Sequence, residues 1–128
     1  MKIVLLIAAA GAFGTLARFY AVKAVNVLMP DFPWGTLAVN IIGAFSAGFF
    51  FVLCKNKFAA WEMYFPIFFV GFLGAFTTFS TFALESSRFI ADAQYGKFLL
   101  NILLQNTTGI GAATAGLYLA KLLFNPPM

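Results

Sequence analysis

The sequence predicts an all-α integral membrane protein with four transmembrane helices, and three observations carry that expectation. Of its 128 residues, 62% are hydrophobic and only 9% charged, with a mean hydropathy of +0.94, whereas a soluble domain carries about 25% charged residues. Four apolar stretches are separated by short polar breaks; at roughly 20 apolar residues per crossing, the chain has room for four or five spans at most. Aromatic residues with a polar edge (Tyr20, Trp34, Trp61, Tyr64, Tyr95 and Tyr118) lie near the boundaries of those stretches, as in the headgroup belts of membrane helices.

The first span is expected over about Ile3 to Leu28, with Arg18 and Lys23 inside it. Pro30-Asp31-Phe32-Pro33 ends it, because proline disfavours helix at the preceding residue and cannot continue one. The amino-terminal run also resembles a secretory signal with a small-residue site near Ala8-Ala9-Ala10, but the apolar spans that follow favour a retained first helix. The second span, about Trp34 to Leu53, has no charge and leads into a basic loop from Cys54 to Ala60 with Lys55, Asn56 and Lys57. A third stretch, about Glu62 to Ala93, is too long for one straight crossing and is expected to break near residues 74–78. The fourth runs from about Lys97 to Leu123, before Pro126-Pro127, so that residues 1–128 form a single membrane domain.

Composition also excludes several functions. The net charge is +4, but the basic residues are dispersed singly apart from Lys55 and Lys57, which suits interfacial anchors and offers nucleic acid no phosphate-tracking cluster. Cys54 is the lone cysteine, histidine is absent and only four carboxylates are present, so the raw material for most metal sites and acid–base dyads is missing and an enzyme is not expected. Small residues at four-residue spacing (Gly11 with Thr15, Gly43 with Ala47, Ala44 with Gly48, Ala112 with Gly116) allow the close helix approach that replaces hydrophobic drive in lipid.

With four spans, Lys2, Lys55, Lys57 and Lys121 fall on one side of the membrane and Arg18, Lys23, Arg88 and Lys97 on the other. Lysine and arginine bias sets orientation, and a tally of four against four sets none. Insertion both ways up follows, and two copies related by an in-plane two-fold axis would form an antiparallel dual-topology homodimer, an arrangement that larger transporters reach by internal duplication. In so charge-poor a chain, a counting coincidence gives the same tally.

The most unusual stretch is Gly71-Phe72-Leu73-Gly74-Ala75-Phe76-Thr77-Thr78-Phe79-Ser80-Thr81-Phe82. Glycine is entropically costly in a helix, and Ser/Thr side chains compete for backbone carbonyls. A helix broken in the bilayer frees polar backbone groups that are tolerated only inside protein or along an aqueous path, where carbonyls hold cations and helix N-termini hold anions. A structural kink rescued by the threonines is the alternative. Phe79 and Phe82 share a helix face, and phenylalanine edges are electropositive, although most of the 18 phenylalanines must simply pack or face lipid. Asn40 lies in the uncharged second span, where an amide must meet a partner or a cavity; Gln105, Asn106, Thr107 and Thr108 give the fourth span a polar stripe. Glu85 and Arg88, three apart, are spaced to pair at the rim, and Arg18 is placed to snorkel to an interface or vestibule.

On these residues the chain resembles the Fluc fluoride channel family, also called CrcB: Gly14-Thr15-Leu16-Ala17-Arg18, Gly35-Thr36-Leu37-Ala38-Val39-Asn40, and Gly71 through Phe82 followed by Glu85. The resemblance implies a passive channel that exports fluoride across a prokaryotic cytoplasmic (inner) membrane as an antiparallel dual-topology homodimer. It implies that Phe79 and Phe82 line the pores, that Asn40 donates a hydrogen bond there, and that Ser80 and Thr81 form a polar track. It further implies that carbonyls of Gly74 and Thr77 from each subunit hold a structural sodium ion at the dimer interface, with Arg18 near the vestibule. Two departures stand out: Ala83 where many members have serine, and Gln105 to Gly109 in place of a small serine-containing pattern, so the resemblance names no pore residue on the fourth span.

The residues alone define a pathway for a small ion, most simply an anion. One rival class, small dual-topology proton-coupled multidrug exporters, needs a glutamate in the first helix, whereas the first acidic residue here is Asp31. A non-transporting scaffold subunit, the other rival, has no use for a midmembrane break.

Overall fold

The computed structural model describes residues 1–57 and 61–124, without the side chains of 55–57 and 61–62. The basic character of Lys55 and Lys57, the interfacial placement of Trp61 and the stop at Pro126-Pro127 therefore lie outside the described residues. Helix α1 spans Lys2–Leu28 without interruption at Arg18 or Lys23. It closes with Met29 N–H on the Val25 carbonyl, one residue before Pro30. Helix α2 spans Trp34–Lys57, four residues beyond the expected end at Leu53, so the helix absorbs the first part of the expected loop. Asn26 of α1 accepts a hydrogen bond from Gly35 N–H at 3.1 Å, which satisfies one of the free donors at the start of α2. In the connection between them, buried Phe32 stacks on Phe89 at 5.9 Å and meets Trp34 at 4.8 Å.

The third segment is assembled from pieces. After α3 (Trp61–Phe65), residues Pro66–Leu73 form a π-helical stretch, followed by α4 (Gly74–Phe76), two extended residues, and α5 (Phe79–Ala91). Proline has no N–H and its ring crowds the carbonyl four residues back, so Pro66 opens the helix where the wider turn begins; π-helical turns are frequent at functional sites. Phe68, Phe72 and Phe76 stack successively at 5.9 and 5.6 Å along this stretch. Helix α5 ends in a Schellman arrangement, with Ala93 N–H on the Ile90 carbonyl and Gln94 N–H on the Phe89 carbonyl. Ala93 takes the left-handed position at φ 55°. Helix α6 spans Tyr95–Phe124.

No strand occurs among the described residues. Three helical stretches, Lys2–Leu28, Trp34–Cys54 and Met63–Ala91, are long and apolar enough to cross a membrane. Helix α6 is as long, but Asn101, Gln105, Asn106, Thr107 and Thr108 lower its hydropathy. Packing pairs α2 with α6 and α1 with the π-helical stretch. At the α2–α6 crossing, a Cβ on Gly48 would strike the Ala113 carbonyl, and one on Gly116 the Phe45 carbonyl, so of the expected small pairs Ala44–Gly48 and Ala112–Gly116 mark the contact. On α1 the close approach falls at Gly14, against the Phe72 backbone, rather than at Gly11, whose added Cβ would meet only ordinary contact.

The burial pattern inverts that of a soluble protein. Thr36 and Asn101 are 0% exposed, while Leu5, Phe13 and Leu28 are 68%, 67% and 81% exposed. Polar groups meet inside and apolar groups cover the outside, as lipid requires.

Candidate functional site

The helix break falls at Thr77 and Thr78, within the expected 74–78 window. Thr77 has φ −88°, ψ 159° and Thr78 φ −150°, ψ 111°, both extended. An extended residue turns its N–H and C=O away from the helix axis, and a single side chain takes both: Thr78 N–H donates to Asn40 Oδ1 at 2.8 Å, and Asn40 Nδ2 donates to the Thr78 carbonyl at 3.2 Å. The second hydrogen of Asn40 Nδ2 goes to Gln105 Oε1 on α6 at 3.0 Å. Asn40 thus ties α2, the break and α6 together, with both of its N–H groups engaged. Packing partner and cavity-lining residue, the two alternatives left by the sequence, coincide in it.

Thr78 also caps α5. Its Oγ1 accepts from Thr81 N–H at 3.2 Å, donates to Thr81 Oγ1 at 2.9 Å and lies 3.4 Å from Ser80 Oγ. The positive end of the α5 dipole therefore points into the break. On the other side of the break, the Thr78 N–H that would continue α4 is turned to Asn40, which releases the Gly74 carbonyl. Gly74 is exposed, and the Thr77 carbonyl accepts from Arg18 Nη1 at 3.3 Å. A carbonyl oxygen has two lone pairs, so Thr77 keeps one free. A released carbonyl on Gly74 and a half-engaged one on Thr77 fit a cation held by backbone oxygens.

Two cavities flank the break. The larger, about 440 Å³, brings together Asn40, Gly43, Gly74, Phe79, Phe82 and Gln105. Phe79 is 77% exposed in the single chain and Phe82 only 8%, and their rings meet edge-on at 5.6 Å and 66°. The second, about 320 Å³, lies toward α1 and is lined by Arg18, Lys23, Thr36, Thr78 and Thr81. Thr78 borders both. Of the residues expected at the site, Phe79, Phe82, Asn40, Gly74 and Thr77 surround one cavity, Thr81 and Arg18 the other, and Ser80 lies exposed beside Thr78.

Three features escaped the sequence reading. Glu85 does not take its hydrogen bond from Arg88: its Oε1 accepts from Thr36 Oγ1 on α2 at 2.7 Å, and its Oε2 is buried without a hydrogen-bond partner. Thr36 stands one turn before Asn40, and Glu85 two turns after Thr78, so helical spacing alone placed them on the faces that meet. The polar run on α6 is not a stripe, because Asn106, Thr107 and Thr108 bond back to the Ile102, Leu103 and Leu104 carbonyls of their own helix. Gln105 alone of the four reaches across. Further along, buried Asn101 donates to Ser86 Oγ at 3.0 Å, joining α5 to α6.

An apolar exterior, buried polar contacts and a helix interrupted over a polar-edged cavity define a multi-pass helical membrane protein built around a broken helix. Residues 5–117 match the family model described as CrcB-like protein, Camphor Resistance (CrcB), and the chain belongs to that family. It is similar to proteins named fluoride-specific ion channel FluC: 43% identical to one from Desulforapulum autotrophicum, over 91% of this chain and 94% of that protein, and 41% identical to one from Hydrogenovibrio crunogenus, over 91% and 89%. A third, from Legionella pneumophila, is 39% identical over 91% and 88%.

Proposed function

We propose that the chain is a passive fluoride-selective channel that lets fluoride out of the cytoplasm across a prokaryotic inner membrane, and that it is not an enzyme. The observation that carries this reading is the break at Thr77–Thr78, held open by Asn40 beside the Phe79–Phe82 edge pair, in a chain whose relatives are named as fluoride channels. The α5 N-terminus and the electropositive ring edges favour an anion, and neither carries a full charge that would trap it. Phe79, Phe82, Asn40, Ser80 and Thr81 line the fluoride path, and Arg18 draws anions into the vestibule. Family membership gives no support to the proton-coupled exporter.

The working form is an antiparallel dual-topology homodimer of four-span subunits in lipid. The even charge tally supports it, as does the 77% exposure of Phe79, a pathway residue that a second copy would enclose. Gly74 and Thr77 carbonyls of both copies hold a sodium ion at the dimer interface, which supplies a fixed positive charge there. The test is efflux from proteoliposomes, read with fluoride and chloride electrodes. Fluoride leaving while chloride stays supports the reading, and equal release of both contradicts it. Dual topology is checked on Cys54 in sealed vesicles: a membrane-impermeant maleimide should reach about half of the copies that it reaches in detergent.

A further inference from the structure

We propose that Arg18 sets the affinity of the sodium site: its guanidinium shares the Thr77 carbonyl with the ion and keeps binding weak enough for sodium to exchange. The inference rests on the sodium and dimer reading above. An arginine in a membrane helix ordinarily turns toward an interface. This one reaches inward, and its Nη1 donates to the Thr77 carbonyl, 59 residues away in sequence, at 3.3 Å. Gly14, one turn earlier on α1, explains the reach. It lies so close to the broken helix that an added Cβ would strike the Phe72 carbonyl, and about one turn further along both segments Arg18 comes beside Thr77. No ion pair to Arg18 occurs among the described residues, so no carboxylate offsets its charge where it meets the break.

Thr77 does not depend on Arg18 for its orientation. Its N–H and its Oγ1 both donate to the Leu73 carbonyl, each at 2.9 Å. Its methyl fills the space beside Gly43, where an added Cβ would strike it. Arg18 therefore brings charge rather than shape to this carbonyl. Its N–H occupies one of the two lone pairs, and arginine carries a full positive charge. Two positive charges on one oxygen repel at short range, and at the effective dielectric of a protein surface that repulsion is worth roughly tenfold or more in an equilibrium constant. In the dimer the second copy brings the same pair. The competing role is a purely structural tie between α1 and the break, in which the guanidinium matters only for its hydrogen bond.

The test is thermal unfolding of the full chain in detergent while sodium replaces N-methylglucamine at constant ionic strength, so that screening stays fixed. A ligand that binds the folded state raises the melting temperature, and the concentration at which the rise begins tracks its affinity. Arg18→Gln keeps an N–H donor and removes the charge; its rise should begin at about tenfold lower sodium than in the parent. Arg18→Lys keeps the charge and should stay within about threefold of the parent. Arg18→Met removes donor and charge together, should bind sodium at least as tightly as Arg18→Gln, and decides alone should Arg18→Gln fail to fold. A rise in Arg18→Gln that begins at the parent concentration or above overturns the inference, and so does Arg18→Lys responding like Arg18→Gln. A structural tie predicts that Arg18→Met is less stable at every sodium concentration, with its sodium affinity unchanged or weaker. A parent whose melting temperature ignores sodium overturns the sodium reading and this inference with it, while fluoride efflux from the parent tests the channel reading separately.

Discussion

Asn40 and Thr78, 38 residues apart, exchange two hydrogen bonds, with Thr78 N–H on Asn40 Oδ1 at 2.8 Å and Asn40 Nδ2 on the Thr78 carbonyl at 3.2 Å. One amide thus does at the break what a neighbouring strand does in a sheet, satisfying both backbone groups of an extended residue. In lipid, where no bulk water is at hand, an interrupted helix depends on such a partner.

Replacing Asn40 with Leu leaves the Thr78 N–H, the Thr78 carbonyl and Gln105 Oε1 without a partner. At about 1–3 kcal/mol for each buried group left unpaired, the expected loss is on the order of 3 kcal/mol after relaxation. Thermal unfolding in detergent measures it, and Asn40→Ser, which keeps one polar contact, should fall between Asn40→Leu and the parent.

Thr36 and Glu85 form the second link between α2 and the broken helix. Thr36→Val keeps the shape and removes the donor, so a loss of about 1–3 kcal/mol is expected. Glu85→Gln keeps an acceptor for Thr36 and removes a carboxylate whose second oxygen has no partner; its stability should equal or exceed that of the parent. A Glu85→Gln variant as weakened as Thr36→Val would contradict this account of the pair.

Gly48 and Gly116 set the distance between α2 and α6, since each faces a backbone carbonyl of the other helix. Either Gly48→Ala or Gly116→Ala should destabilise by about 1–3 kcal/mol, because backbone cannot yield as a flexible side chain does. Gly96→Ala, with nothing within 4 Å of the added carbon, is the matched control and should be neutral or slightly stabilising.

Ala93 holds a left-handed position that glycine adopts without strain. Ala93→Gly should raise stability by about 1 kcal/mol, the approximate cost of that conformation for an L-residue with a Cβ. An unchanged melting temperature would show that the turn relaxes in solution.

Much of this architecture is legible in the residues. Pro30 and Pro33 announce the end of α1 and the start of α2, and the glycine and threonine run locates the break, because backbone entropy and hydroxyl competition act locally. Asn40 is legible as a polar group in a stretch without charge. The π-helical stretch at Pro66–Leu73 is not, since Pro66 signals a disturbance but not the register that resolves it. Glu85 follows a local spacing rule toward Arg88, yet tertiary packing hands it to Thr36. The run from Gln105 to Thr108 reads as four equivalent polar residues, and only helix packing separates Gln105, which crosses to Asn40, from three that bond to their own backbone.

The most direct measurement of the central claim is fluoride efflux from proteoliposomes of the parent chain beside Phe79→Ile and Phe82→Ile. The account predicts rapid efflux from the parent and a loss of about tenfold or more in each variant, with assembly intact. Variants that assemble and conduct as fast as the parent would contradict a path along those two rings.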